Sequence, residues 1–276
     1  MSGFAPRAQS GWRTSKHLSE VTGLYDHRNT TREIEEGKPK IAIFSVGAIE
    51  QHTAVLPVGT DFMVVSEVAR RVGKKLNAYV VPTVPFGTSY EHRGFAGTVS
   101  IRPDTLYRFV KEMIVSCYEQ GIMKAAVLLG HGGLWAVKPA IRDLNYEHPE
   151  GMAIWMSPFD RAIRAQGLLD GVMETADQEV HAGEIEVSCM MAIDEETVKM
   201  EYAVDYVPDV SREFLDYVPM KAISPCGVWG IPSKASKEKG EKCLEAYAET
   251  TAQYILKSFQ DIASAKSTLE GRTDCQ

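Results

Sequence analysis

Three short apolar runs, each closed by a glycine or a proline, most constrain how this chain can fold. Ile41-Ala42-Ile43-Phe44-Ser45-Val46 ends at Gly47, Tyr79-Val80-Val81 ends at Pro82, and Ala125-Ala126-Val127-Leu128-Leu129 ends at Gly130. Runs this short, near-continuously apolar and partly β-branched, read as strands buried on both faces. Between them the period changes. Apolar positions recur at helical spacing from Phe62 to Leu76, from Thr105 to about Gln120 and from Leu134 to Tyr146. Ala153–Trp155 offers a fourth strand. Glu184–Ala192 and Lys237–Lys257 read as further helices, the second with Glu238, Glu241 and Glu245 on an exposed face. Strands alternating with helices predict an α/β fold, a layered architecture with a largely parallel central sheet flanked by helices. In such sheets ligand sites gather beyond the carboxyl ends of the strands.

With 276 residues, 44% of them hydrophobic, the chain can bury a large core. No linker interrupts residues 40–260, so one domain is expected there, with an N-terminal extension over 1–39 and a C-terminal tail over 261–276. The formal net charge of −7 argues against nucleic acid and anionic membranes as partners. Met1–Arg13 has no apolar segment of the secretory kind, and no run approaches the roughly 18 apolar residues of a membrane span. Cys117, Cys189, Cys226, Cys243 and Cys275 are scattered, with no Cys-x-x-Cys pair, so reduced thiols and a cytoplasmic location are expected. Trp12, Trp135 and Trp229 read as packing groups.

The residues that carry chemistry stand directly after the predicted strands. Glu50-Gln51-His52 follows the first. Glu50 and His52 are two apart, so in an extended segment they project to one side, a pairing that suits Zn²⁺ or Mn²⁺. Asp61 closes the same loop at a helix start, where a plain capping role is the alternative. Gly130-His131-Gly132-Gly133 follows the third strand, and its glycines permit a sharp turn and close backbone approach. In His181-Ala182-Gly183-Glu184-Ile185-Glu186 the two glutamates cannot share one helical face, so at most one points inward. Favourable placement at a helix N-terminus would explain acidic residues there equally well. Phe86–Thr98, with Ser89, Glu91 and His92, mixes glycines, aromatics and polar groups and reads as a wall that contacts substrate, or as a long loop.

In order along the chain, these segments resemble the creatininase (creatinine amidohydrolase) family. Gly47–Asp61 looks like its first metal motif, Phe86–Thr98 its Glu-His segment, Gly130–Gly133 its Gly-His-Gly-Gly turn and His181–Glu186 its His-Ala-Gly-x-x-Glu motif. Gly227–Pro232 with Ala235–Gly240 looks like its C-terminal signature. The resemblance implies two divalent metal ions, Zn²⁺ and/or Mn²⁺ with Fe²⁺ as a variant, and a homo-oligomer, often a hexamer. It assigns Glu50, Asp61 and His131 to one ion and His52, Asp61 and Glu186 to the other, with Asp61 shared. It makes His181 a catalytic proton shuttle or oxyanion partner, and places Ser89, Glu91, His92 and Gly132 at the substrate. The implied reaction is attack of activated water on a carbonyl carbon of a small, cyclic, polar substrate, a cyclic amide or a formamide. Departures bear on which substrate. Gly132-Gly133 stand where creatininases carry Tyr-Glu, which puts more weight on Glu186. Trp155 matches one of the two tryptophans that close over creatinine, but Asp177 and Gln178 stand near the other, which disfavours creatinine itself. Two alternatives follow: ring-opening hydrolysis of a cyclic polyol ketone of the 3-dehydro-scyllo-inosose type, and a non-catalytic metal- or ligand-binding relative.

Overall fold

A computed structural model describes residues 24–164 and 167–270 of the chain. Trp12 and Cys275 lie outside the described residues, as do residues 1–23 of the expected extension. In chain order the elements are α1 (Thr31–Gly37), β1 (Ala42–Val46), α2 (Thr60–Leu76), β2 (Tyr79–Val80), α3 (Pro103–Glu119), β3 (Lys124–Leu129), α4 (Val137–Glu147), β4 (Met152–Met156), α5 (Arg161–Arg164), α6 (Glu184–Asp194), α7 (Met220–Ile223) and α8 (Lys237–Glu270). All strand pairs are parallel, in the order β2-β1-β3-β4. Ahead of β1, α1 is closed by a capping box in which Thr30 and Glu33 satisfy each other's backbone N–H.

The continuous hydrophobicity of the strands follows from helices on both faces. Ile41, Ile43, Ala126, Leu128, Ile154 and Met156 pack with α2, α6 and α8. The alternate positions Ala42, Phe44, Val46, Ala125, Val127, Leu129 and Ala153 pack with α3 and α4. Because the strands are parallel, all their carboxyl ends open on one edge. The loops that carry Glu50, His92 and His131 therefore meet there.

The last helix reaches beyond Lys257 to Glu270. Its far end is anchored by Lys266, whose Nζ donates to the carbonyls of Pro149 (2.5 Å) and Gly151 (2.9 Å). Its near end carries the glutamates of the expected exposed face. Glu241 pairs bidentately with Arg71 of α2, and Glu245 and Glu249 with Lys75. Such solvated pairs add little stability. The tighter constraint is Gly240, where α8 crosses α6: a Cβ there would collide with the Ser188 carbonyl. Backbone cannot rotate away as a side chain can, so Gly240→Ala should cost about 3 kcal/mol, at the upper end of overpacking penalties. The expected result is a thermal midpoint lowered by about 5 °C or more, measured by circular dichroism; an unchanged midpoint would show that the crossing yields freely. The described cysteines, Cys117, Cys189, Cys226 and Cys243, are all free thiols. Among the described residues no helix is long and apolar enough to cross a membrane.

Candidate metal centre

Two glycines bring the strand ends against α2. A Cβ at Gly47 would lie 2.5 Å from the Phe62 backbone, and one at Gly130 would lie 2.7 Å from the Val65 side chain and 3.1 Å from the Asp61 carbonyl. Only glycine lets the loops after β1 and β3 sit this close to the first turn of α2. Asp61 stands in that turn, but it does not cap the helix. The cap position is Gly59, with no side-chain bond. The Asp61 carboxylate turns instead toward the strand edge, with Oδ1 3.4 Å from His52 Nε2 and Oδ2 3.3 Å from His131 Nδ1. Glu50 Oε1 lies 3.2 Å from the same His131 Nδ1.

Backbone acceptors fix the orientation of both rings. His52 Nδ1 faces the Glu50 carbonyl at 3.1 Å, and His131 Nε2 faces the Thr88 carbonyl at 3.1 Å and Glu91 Oε1 at 3.1 Å. With its proton on that nitrogen, each ring aims a bare nitrogen at carboxylate oxygens: His52 Nε2 at Asp61 and Glu186, His131 Nδ1 at Glu50 and Asp61. Lone pairs facing anions repel unless a proton or a cation lies between them.

Glu186 arrives from the first turn of α6. Its Oε2 is 3.6 Å from His52 Nε2 and accepts the Ala182 N–H at 2.6 Å. The turn that leads there is strained: Ala182 is fully buried and holds φ of +52°, left-handed space that a residue with a Cβ rarely occupies. Glu184 points elsewhere. It is fully buried and receives the N–H groups of Glu174 and Thr175 together with Lys239 Nζ at 2.6 Å. Of the two glutamates, only Glu186 faces the cluster. His181 is held by a two-way backbone bridge to Trp229, so the C-terminal signature positions it from the far side.

Three overlapping groups of donors result, each within 4.8 Å: Glu50, Asp61 and His131; His52, Asp61 and Glu186; and Glu50, His52 and His181. Four atoms at their centre are buried yet make no hydrogen bond: both oxygens of Glu50, Asp61 Oδ2 and His52 Nε2. Uncompensated polar burial of this density is costly, and it fits a cation that takes those atoms as ligands. The electrostatics agree. Burial disfavours charge on His52, yet Asp61, Glu186 and Glu50 outweigh it and raise the ring to about 10. His131 is raised well above its ordinary value for the same reason, against its own burial. Glu186 rises to about 7 through burial, opposed by His52. A site that holds protons on imidazoles this strongly also attracts divalent cations, which compete for the same lone pairs. A mixed imidazole and carboxylate set suits Zn²⁺, Mn²⁺ or Fe²⁺.

His181 behaves differently. Burial, together with the charge of His52 and His92, lowers it well below its ordinary value, so the ring is neutral. Its Nε2 donates to the Gln51 carbonyl at 2.7 Å, which leaves Nδ1 bare and 3.8 Å from Glu50 Oε1. Glu91, His92 and Gly132 line the cavity of about 490 Å³ that opens onto the cluster, whereas Ser89 is buried and lines an adjoining cavity of about 460 Å³.

The sequence reading passed over several residues of this cavity. Glu179 is buried and accepts the N–H groups of Ile185 (2.7 Å) and Glu186 (3.2 Å), so it caps α6 from within the chain. Arg212 comes from an irregular stretch with no periodic pattern. Trp135, expected to pack, is 62% exposed and lines the cavity with Trp155. It stands between the Gly-His-Gly-Gly turn and the start of α4, where its neighbours Leu134 and Ala136 take the core and it faces outward. Trp229, by contrast, is buried.

The family sequence profile for creatininase, described as creatinine amidohydrolase, matches residues 27–255. The chain belongs to the creatininase family. Within the creatininase family it is 26% identical over 271 residues to the 3-dehydro-scyllo-inosose hydrolase of Thermotoga maritima, covering 88% of this chain and 86% of that protein. It is 27% identical over 253 residues to the mycofactocin precursor peptide peptidase of Mycolicibacterium smegmatis, covering 87% and 93%. A solved creatininase variant of Zn–Zn type superposes with a TM-score of 0.71 at 25% identity, covering 86% of this chain and 98% of that one. This creatininase-family chain is therefore a hydrolase, and its fold is that of its relatives over nearly their whole length.

Proposed function

We propose that the chain hydrolyses a small, polar cyclic amide or formamide, with two divalent cations, Zn²⁺ or Mn²⁺, held by Glu50, His52, Asp61, His131 and Glu186. The observation that carries this reading is the set of buried, unpartnered ligand atoms on Glu50, His52 and Asp61, to which His131 and Glu186 add theirs. Three carboxylates against two divalent ions leave one net positive charge, suited to an attacking anion or a carbonyl oxygen. When bound, such a pair supplies Lewis-acid polarisation of a carbonyl and acidifies water. The protein's own groups do the rest. Thr88 and Glu91 lock the His131 ring, and the Glu50 carbonyl locks His52, so neither ligand has to reorganise. His181, neutral and with its Nδ1 bare, takes the proton from the attacking water and returns it to the leaving nitrogen as the carbon–nitrogen bond breaks.

A second reading, opening of a cyclic polyol ketone, is favoured by the likeness to the Thermotoga maritima enzyme. The cavity wall favours the first. Trp135 offers a flat, exposed apolar surface, which suits a planar amide-bearing ring better than a polyol. A turnover panel of lactams, N-formyl compounds and inosose ketones with metal-loaded protein separates them. Carbon–nitrogen cleavage is the expected result. Turnover confined to the ketones would replace this substrate class, and no turnover by any member would favour a non-catalytic relative.

A further inference from the structure

One strong positive charge in the cavity has no use in the chemistry above. Arg212 begins a short turn of 3-10 helix over Arg212–Asp216, and its guanidinium lies against Gly132, in the space a Cβ there would need. Gly132 directly follows His131, so the charge stands beside the metal cluster. Among the described residues the Arg212 side chain has no ion pair and no hydrogen bond, and its neighbour Glu213 accepts from the Ser211 hydroxyl. Of the other carboxylates that line the cavity, Glu91 is committed to His131 and Glu179 to the N-terminus of α6. A second cation, Lys138, lines the same cavity with Nζ 5.5 Å from the centroid of the Trp155 ring.

We propose that the substrate carries an oxyanion, a carboxylate or a phosphate, close to its reacting carbonyl, and that Arg212 grips it over Gly132. This rests on the metal-dependent hydrolase reading above. An unpaired guanidinium beside two divalent cations is self-repulsive, and a ligand that brings a negative charge turns that repulsion into attraction. The planar fork of an arginine matches a carboxylate or phosphate with two parallel bonds, which a lysine cannot do. Gly132 then has a reason of its own: any larger residue would push the guanidinium off the turn. Lys138, held along the Trp155 face, adds a second positive charge to the same wall.

Zinc-loaded full-length protein should be titrated calorimetrically with three metal-chelating probes: succinic monohydroxamic acid, its phosphonate analogue and its neutral carboxamide. The wild-type protein should bind at least one oxyanion probe about tenfold or more tightly than the carboxamide. The probe with the larger preference identifies carboxylate or phosphate. Arg212→Ala should bring that ratio to near one, Arg212→Lys should keep part of it, and Gly132→Ala should reduce it by displacing the guanidinium without removing its charge. Affinity for the carboxamide and the thermal midpoint report any general damage to the site or the fold. Equal binding of all three probes by the wild type, or a preference that survives in Arg212→Ala, overturns the inference. If the carboxamide too fails to bind, the metal reading has failed, and this inference falls with it; that outcome differs from the loss of the preference alone.

Discussion

Asp61→Asn should lower turnover by at least about a hundredfold and strip most of the bound metal. Loss of residues that merely support metal ligands costs about 10–100-fold, so loss of a ligand shared by two ions should cost no less. Asp61 belongs both to the group with Glu50 and His131 and to the group with His52 and Glu186. Asparagine keeps its size and one oxygen but removes the charge that faces His52 at 3.4 Å and His131 at 3.3 Å. The fold should persist, because Asp61 does not cap α2 and is not bonded to backbone there. Elemental analysis and turnover of the same preparation, with circular dichroism as the control for folding, check this. Full activity with full metal content would show that the centre does not depend on Asp61.

His181→Ala should have the opposite signature. Turnover should fall by about 10²–10⁴-fold, the usual worth of a positioned acid–base group, while the bound metal is retained. The distinction matters because His181 also falls within one of the three donor groups, with Glu50 and His52. Its Nε2 is engaged by the Gln51 carbonyl, and its Nδ1 is 3.8 Å from Glu50, farther than the ring nitrogens of His131 or His92 at 3.2 Å. A proton shuttle fits that looser position. Loss of metal in His181→Ala would make it a ligand and leave the proton transfer to another group. Gln51 links this ring to the rest: its Nε2 lies 3.0 Å from His92 Nδ1 and 3.1 Å from the Gly227 carbonyl. Gln51→Ala leaves in place the main-chain carbonyl that holds His181 and removes only these side-chain contacts.

What could be read along the chain was whatever depends on local pattern. The strands at Ala42–Val46 and Lys124–Leu129 were legible because both faces are covered, which leaves an unbroken apolar run. Gly47 and Gly130 marked where those strands end against α2. The histidine and carboxylate motifs were legible as a set because the parallel topology returns every strand end to one edge. The Glu184–Glu186 ambiguity was not resolvable by spacing. What decides it is Lys239, 55 residues away, together with the N–H groups of Glu174 and Thr175, which claim Glu184. Glu179 likewise shows its role only once the chain has turned back on itself at Ala182. Arg212, Trp135 and Lys138 reach the cavity from a short turn, from the approach to α4 and from its first turn, and their sequence neighbours carry no signal of what they face. The contacts that shape substrate choice are of this long-range kind. That is why a sequence can announce the centre and stay nearly silent on what the centre acts upon.

The central claim is that five side chains from two loops and two helix starts hold a pair of divalent cations. Anomalous diffraction from crystals of zinc-loaded protein, recorded above and below the zinc edge, tests it most directly. The account predicts two peaks. One should lie about 2.0–2.2 Å from His131 Nδ1 and from oxygens of Glu50 and Asp61, the other at similar distances from His52 Nε2, Asp61 and Glu186. No peak at this edge of the sheet, or zinc bound elsewhere with these side chains unligated, would contradict it.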